Sequence, residues 1–172
     1  MRPVKFVKGD VAQSVEQRTE NPCVGGSIPS ITTILLLPQL NLKQMSKFRN
    51  VLLVDDNEID NFINERIITS SSFCEQVVVR NSADGALSYL REISGAPEKI
   101  PDIIFLDLNM PIKDGFAFLE EYASLGEEVT KRSKVIVLSS SISPDDINKA
   151  STNPFVFKYI NKPLSEKYLE AV

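Results

Sequence analysis

Five short apolar runs alternate with helix-like segments from Asn50 onward, and this alternation is the strongest constraint on the fold. Strands that alternate with helices predict a parallel sheet covered by helices on both faces. Right-handed crossovers then give a doubly wound, five-stranded α/β fold. The strand-like runs are residues 51–54, 76–80, 102–107, 134–139 and 155–160, and the helix-like segments are residues 58–68, 82–93, 115–125, 143–150 and 165–172.

Two of the predicted helices carry apolar residues at helical spacing, which indicates a face turned toward the core. We expect both faces to be buried, with Phe62 of the first helix and Leu90 of the second among the core residues. The positions concerned are Ile59, Phe62, Ile63 and Ile67 in the first helix, and Ala83, Ala86, Leu87 and Leu90 in the second.

Residue types that are missing or scarce exclude several kinds of chemistry. The chain has no histidine, which excludes histidine as a nucleophile, as a general base and as a zinc ligand. Cys23 and Cys74 form no metal-like cluster and suggest no disulfide framework. A net charge of -4 without a block of Lys or Arg argues against nucleic acid as the main ligand. The chemistry must therefore use Asp, Glu, Lys, Ser, Thr or a metal ion.

The most apolar stretch, residues 31–40, is interrupted by Pro38 and is shorter than the ~20 residues that span a bilayer. It also lacks the basic start and the small-residue cleavage site of a secretory signal. We therefore expect a cytoplasmic protein without membrane association.

Residues 1–47 do not continue the strand-helix pattern and are predicted to be a disordered N-terminal extension. Residues 26–29, Gly-Ser-Ile-Pro, can be encoded by GGT-TCG-ATT-CC, which matches the T-arm of a tRNA. One hypothesis is that the upstream segment is a gene-model artefact and that the native start is Met45. The alternative is a genuine flexible extension.

Charged or hydroxyl side chains stand at the ends of four of the strand-like runs. In a doubly wound sheet the carboxyl ends of the strands meet at one edge, where ligands bind. We therefore expect these side chains to lie close together. They are Asp55 and Asp56 after the first run, Asp107 at the end of the third, Ser139 at the end of the fourth and Lys162 shortly after the fifth.

This set of side chains predicts a phosphoryl site that uses a metal ion. Three neighbouring carboxylates repel one another and remain ionised together only beside a cation. Carboxylate oxygens suit Mg²⁺, which favours sites shared with phosphate. An aspartate can act as a nucleophile and become an aspartyl phosphate. Lys162 and Ser139 could then bind the phosphoryl oxygens.

Each of these residues also has a structural explanation. Asp55 and Asp56 could cap the helix that follows them. Ser139 could be part of a polar loop, and Lys162 could belong to a strand-ending turn in which a cis peptide before proline is plausible. The Asp-Gly pair at 114–115 is predicted to be structural, a turn and helix start in which glycine supplies a permissive backbone.

Four stretches, in this order and spacing, resemble the receiver domain of two-component response regulators, of the chemotaxis-regulator type. The resemblance covers roughly residues 48–172 and implies a flavodoxin-like (βα)5 fold with strand order 2-1-3-4-5. The stretches are LLVDDNEID (52–60), IIFLDLNMPIKDG (103–115), VIVLSSS (135–141) and YINKPL (159–164).

The resemblance implies a role for the acidic residues. Asp107 would be the phospho-acceptor. Asp55 and Asp56 would hold Mg²⁺ together with Asp107, with Asp56 the more direct ligand. Asn109 would offer its backbone carbonyl to the metal ion.

It also implies how phosphorylation becomes a signal. Ser139 would move toward the phosphoryl group, which Lys162 would also bind, and Tyr159 would swing inward into the space that Ser139 leaves. The surface formed by the fourth helix, fifth strand and fifth helix of the predicted fold would change. The resemblance thus implies a phosphorylated switch that catalyses only its own phosphotransfer and autodephosphorylation.

The implied partners are proteins. A sensor histidine kinase or a histidine phosphotransfer protein would donate the phosphoryl group in a phosphorelay. Only ten residues follow Lys162, so we expect a stand-alone receiver without a DNA-binding domain. The downstream target and a phosphorylation-dependent homodimer stay open.

Two other functions stay open at this point. An aspartate-nucleophile phosphatase of the haloacid-dehalogenase type also uses a strand-end Asp, Mg²⁺ and Lys, but it requires Asp-x-Asp at the nucleophile. Here Asn109 replaces the second aspartate and removes the general acid. The second alternative is an interaction module that works without phosphorylation.

Overall fold

A computed structural model of the protein describes residues 46–172, and in this part of the chain five parallel strands form one sheet. The strand order is β2-β1-β3-β4-β5, which confirms both the predicted doubly wound fold and the order that the resemblance implied. The carboxyl ends of all five strands meet at one edge, called the rim below. The strands are β1 (Phe48–Val54), β2 (Cys74–Arg80), β3 (Ile103–Leu106), β4 (Lys134–Ser139) and β5 (Val156–Asn161).

The helices largely follow the predicted segments, with one difference after β3. The predicted helix over 115–125 ends at Tyr122, and a separate short helix follows it. Gly126, with a ψ of 151°, is the N-cap of that extra helix and interrupts the helical path. The helices are α1 (Glu58–Ser70), α2 (Ala83–Ile93), α3 (Gly115–Tyr122), α4 (Glu127–Thr130), α5 (Pro144–Ser151) and α6 (Glu166–Glu170), and Pro97–Lys99 forms a 3-10 turn.

Both faces of the sheet are covered, as β1 illustrates. Its side chains alternate between two apolar clusters because successive residues of a strand point to opposite faces. Leu52 packs in the cluster that contains the buried residues of α2 and α3, including Leu90 as predicted. Leu53 packs in the cluster that contains Ile68 of α1 and Leu169 of α6. A strand segment buried on both sides has to be continuously apolar, and residues 51–54 of β1 are.

Helix α1 is turned the opposite way from the prediction. Ile59, Phe62 and Ile63 are exposed, so the prediction that this face lies in the core is wrong for these three residues. Only Ile67 of the predicted face is half-buried, and it packs beside the cluster that contains Ile68. The buried residues of α1 are Asn61, Asn64 and Ile68, which also recur at helical spacing. The Asn61 side-chain amide donates to the Asp55 backbone carbonyl at 2.7 Å, which holds this polar face against the end of β1.

The orientation of α1 predicts that Phe62 contributes little to stability. Its side chain is 64% exposed, whereas Phe118 of α3 is 0% exposed. We expect Phe62→Ala to change the free energy of unfolding by less than about 1 kcal/mol and Phe118→Ala to lower it by about 3–5 kcal/mol. Urea unfolding of the two variants checks this, and equal losses would contradict the orientation of α1.

The predictions for residues 1–47 fall almost wholly outside the described residues, and both readings of that segment stay open. Among residues 46–172, no helix combines the length and the apolar character needed to cross a membrane.

Candidate functional site

Asp107 is held at the rim by backbone hydrogen bonds. Its own N–H donates to the Val54 carbonyl at 2.9 Å, which continues the pairing of β3 with β1 by one residue. Its carboxylate Oδ1 accepts from the Leu108 N–H at 2.8 Å. The residue is buried. A carboxylate therefore stands where the apolar strand ends, and its Oδ2 is directed to other side chains of the rim.

Asp55 and Asp56 join Asp107 at this edge. Oxygen atoms of the three carboxylates lie within 4.8 Å of one another. Asp55 is buried, and its Oδ1 accepts from the Asn57 N–H at 2.9 Å. Asp56 is exposed, which leaves its carboxylate accessible from solvent. The three aspartates lie close together, as the sequence predicted.

The acidic pair does not cap α1, which was its structural alternative. The N-cap of α1 is Asn57, whose side-chain oxygen accepts from the N–H groups of Ile59 and Asp60. Asn57 thereby satisfies the helix terminus, and the carboxylates of Asp55 and Asp56 are left for other contacts.

Lys162 lies among the acidic side chains. Its Nζ is 2.7 Å from Asp55 Oδ2, 2.8 Å from Asp60 Oδ2 and 3.5 Å from Asp107 Oδ2. Its backbone N–H donates to the Ser139 carbonyl at 2.9 Å, which extends the pairing of β5 with β4. Burial lowers the pKa of the ammonium, but hydrogen bonds to Asp55 and Asp60, together with the nearby carboxylate charges, leave the pKa above its usual value.

Asp60 is a member of the site that sequence reasoning missed. It lies in the first turn of α1, where acidic residues are common because they favour the helix dipole. Its partner Lys162 is 102 residues away in the chain, so no signal in the sequence connects the two.

Burial, followed by the repulsion of Asp55, raises the pKa of Asp107 above the usual 3.8, although Lys162 and backbone N–H groups oppose the rise. The ionised form is therefore less favourable in the folded protein than in the unfolded chain. A raised pKa contributes stability that is present in acid and is lost as the pH rises through the folded-state pKa.

We expect Asp107→Asn to raise the free energy of unfolding at pH 7 by about 1 kcal/mol, because the buried charge is removed. The gain should shrink as the pH falls through the raised pKa and disappear below 3.8, where wild-type Asp107 is protonated in both states. Thermal unfolding between pH 3 and pH 7 in the presence of a chelator measures it. A variant less stable than wild type at pH 7 would contradict the pKa direction.

Ser139 and Tyr159 are joined through one loop residue. Ser139 is completely buried, and its Oγ accepts from the Ser141 N–H at 3.2 Å. The half-buried Tyr159 donates its hydroxyl to the Ser141 carbonyl at 2.7 Å. Ser141 Oγ also donates to Asp146 Oδ2 of α5 at 2.6 Å. Ser139 and Ser141 are therefore more than polar loop residues, since their hydrogen bonds link the end of β4 to α5 and β5.

Gly115 is structural as predicted, but for a different reason. None of the glycines described here has a positive φ, so permissive backbone is not what this position needs. A Cβ on Gly115 would lie 2.4 Å from the Asp107 carbonyl oxygen and 2.8 Å from Leu108 Cα. Glycine lets the start of α3 approach the strand that carries Asp107. Asp114 is the N-cap of α3 and accepts from the Ala117 N–H at 2.7 Å.

The donor set fits a hard divalent cation such as Mg²⁺. Asp55, Asp56 and Asp107 supply only carboxylate oxygens, the ligands that Mg²⁺ prefers. Asn109 is exposed in the loop after Asp107, and the role of its backbone carbonyl stays a prediction. The peptide bond between Lys162 and Pro163 is cis.

Comparisons with known proteins agree with this geometry. The family model of the response regulator receiver domain matches residues 51–172. The probable methanogenesis regulatory protein FilR2 of Methanothrix harundinacea is 32% identical over 115 residues, which cover 67% of this chain and 72% of that protein. A crystal structure of a two-component response regulator from Cytophaga hutchinsonii is 33% identical with a TM-score of 0.68, covering 72% of this chain and 92% of the other.

Response regulator Rcp1 of Synechocystis is 30% identical over 100 residues, which span 56% of this chain and 65% of Rcp1. The crystal structure of its Mn²⁺-bound form has 27% identity and a TM-score of 0.57, and the alignment covers 70% of this chain and 86% of that one. The matched family model, the sheet order and the acidic rim lead to one conclusion: the chain belongs to the response regulator receiver domain family of two-component signalling.

Proposed function

We propose that the protein accepts a phosphoryl group on Asp107 in a Mg²⁺-dependent reaction and thereby switches a protein-binding surface. One observation carries the proposal: the Asp107 carboxylate, at the end of β3, lies 3.5 Å from Lys162 and within reach of the carboxylates of Asp55 and Asp56. The acceptor carboxylate, the Lys162 ammonium and a set of metal ligands therefore lie next to one another at the rim.

The donor in this proposal is a phosphohistidine on a sensor histidine kinase or a histidine phosphotransfer protein in the cytoplasm. A carboxylate oxygen of Asp107 attacks phosphorus, an O–P bond forms, and the P–N bond breaks. The electron pair of the P–N bond goes to the imidazole, which leaves neutral when its other nitrogen carries a proton. Water later hydrolyses the acyl phosphate, so the only chemistry is phosphotransfer to this chain and its own dephosphorylation.

The residues of the rim have two further roles, metal binding and charge stabilisation. Asp55, Asp56 and Asp107, with the Asn109 carbonyl, would hold Mg²⁺, which when bound neutralises charge on the transferring oxygens. The Mn²⁺-bound structure of Rcp1 supports a divalent ion in this family of sites. Lys162 supplies a second positive charge, beside Asp107, and its ammonium is fixed by two hydrogen bonds to aspartates.

The signal would leave the site through Ser141. Ser139 and Tyr159 both hydrogen-bond to the backbone of this residue. Movement of Ser139 toward a phosphoryl oxygen changes the position of the loop that contains Ser141. The hydrogen bond from the Tyr159 hydroxyl to the Ser141 carbonyl then breaks or forms anew. The face formed by α5, β5 and α6 then differs between the two states, and a downstream protein would distinguish them.

Acetyl phosphate with Mg²⁺ tests the proposal on the purified protein. We expect intact-mass spectrometry to show one added phosphoryl group that is stable in acid and labile in base. Asp107→Asn should show none, and the exposed Asp84→Asn should behave as wild type.

Absence of the adduct in wild type, or an unchanged adduct in Asp107→Asn, would contradict the proposal. Repeated turnover of phosphate esters would contradict it in favour of a phosphatase.

A further inference from the structure

The Asp60 carboxylate competes for the same ammonium group that faces the acceptor. Asp60 lies in the first turn of α1, and its Oδ2 is 2.8 Å from Lys162 Nζ. The Lys162 side chain is 15% exposed and that of Asp60 is 34% exposed, so the contact is partly shielded from water. An ion pair in such a place is stronger than one on the open surface.

Lys162 has a limited number of hydrogen-bond donors, which the neighbouring carboxylates have to share. An ammonium has three N–H donors. Two of them are used at short distance by Asp55 and Asp60, and Asp107 is the most distant of the three carboxylates at 3.5 Å. Lys162 is therefore held more closely by Asp55 and Asp60 than by Asp107.

We propose that Asp60 is a positioning residue that restrains Lys162 and so weakens the binding of a phosphoryl group at Asp107. The inference rests on the proposed function and adds a regulatory element to it. When the phosphoryl oxygens are present, Lys162 has to exchange or share its hydrogen bond with Asp60 in order to reach them. The carboxylate of Asp60 thus lowers the affinity of the rim for a phosphoryl group.

Contacts other than this carboxylate fix the start of α1. The helix is capped by Asn57, and the Asn61 side chain holds it to the end of β1. We therefore expect Asp60→Asn to leave the helix intact while removing the charge that attracts Lys162. This separates a positioning role from a merely structural one.

Titration with beryllofluoride, a phosphoryl mimic, at saturating Mg²⁺ measures the effect by NMR. We expect Asp60→Asn to bind the mimic about three- to tenfold more tightly than wild type, the size expected for one partly exposed charged contact. Glu127→Gln, which removes an exposed carboxylate paired with Lys131 on the remote helix α4, should bind as wild type.

The same pair of proteins in a Lys162→Met background shows whether Asp60 acts through the lysine. We expect Asp60→Asn to produce less than about a twofold gain there, or no binding in either protein up to the solubility limit. The positioning role would be overturned if Asp60→Asn raised the affinity for the mimic equally with and without Lys162→Met. It would also be overturned if only the protein with both substitutions bound the mimic, or if Asp60→Asn alone left the affinity unchanged. Failure of wild type to bind the mimic would instead count against the proposed function.

Discussion

Gly115→Ala is expected to lower the free energy of unfolding by about 3 kcal/mol and to slow adduct formation on Asp107, because it forces backbone atoms apart. The new methyl group would lie 2.4 Å from the Asp107 carbonyl oxygen and 2.8 Å from Leu108 Cα. Neither contact can be relieved by rotating a side chain. The start of α3 and the strand end that presents Asp107 must separate, which moves the acceptor. Urea unfolding and the acetyl phosphate assay measure the two effects.

Gly126→Ala is the matched control. A Cβ at this position meets no atom within 4 Å, and the φ of −57° is ordinary for alanine. We expect its stability to stay within about 1 kcal/mol of wild type or to rise slightly. If Gly115→Ala were as stable and as reactive as Gly126→Ala, the close approach of α3 to Asp107 would be wrong.

Lys162→Met is expected to lower the free energy of unfolding by about 3 kcal/mol without added Mg²⁺, because buried carboxylates lose their counter-charge. Asp55 and Asp107 are both buried beside the Lys162 ammonium, and methionine replaces it with an apolar side chain of similar length. At saturating Mg²⁺, we expect adduct formation with acetyl phosphate to fall about 100-fold, the loss typical of one charge-stabilising group.

The exposed Lys131 provides the control for the charge change. Its side chain is 74% exposed and pairs with Glu127 of α4, and Lys131 itself is the C-cap of that helix. Lys131→Met should cost less than about 1 kcal/mol and leave adduct formation unchanged. Thermal unfolding with and without Mg²⁺ completes the test, since Mg²⁺ among the carboxylates should recover part of the stability that Lys162→Met loses. Equal losses for the two lysine variants would contradict the buried contacts of Lys162.

The acidic pair and Lys162 were predictable because their positions relative to strand ends are a property of the sequence. Parallel strands bring their carboxyl ends together whatever the details of packing. The order of the strands followed only from the resemblance, since alternation alone is compatible with several orders. Asp60 was missed because a single acidic residue in a helix carries no sign of its partner, and Lys162 is distant from it in the chain.

The orientation of α1 shows where periodicity stops being informative. Its apolar residues and its asparagines both recur at helical spacing, so the pattern is compatible with either face turned inward. The usual preference for apolar burial gave the wrong answer. The hydrogen bond from Asn61 to the carbonyl of Asp55 satisfies a backbone group at the end of β1, and a buried backbone carbonyl needs such a partner.

The sequence by itself determined the doubly wound sheet and the set of Asp107, acidic pair, hydroxyl and lysine at its rim. Both follow from the alternation of apolar runs and from which residue ends each run. Only the tertiary structure decided how Lys162 divides its hydrogen bonds, which face of α1 is buried and why Gly115 cannot carry a side chain. These depend on distances of a few ångströms between residues that are far apart in the chain, and spacing along a sequence does not contain such distances.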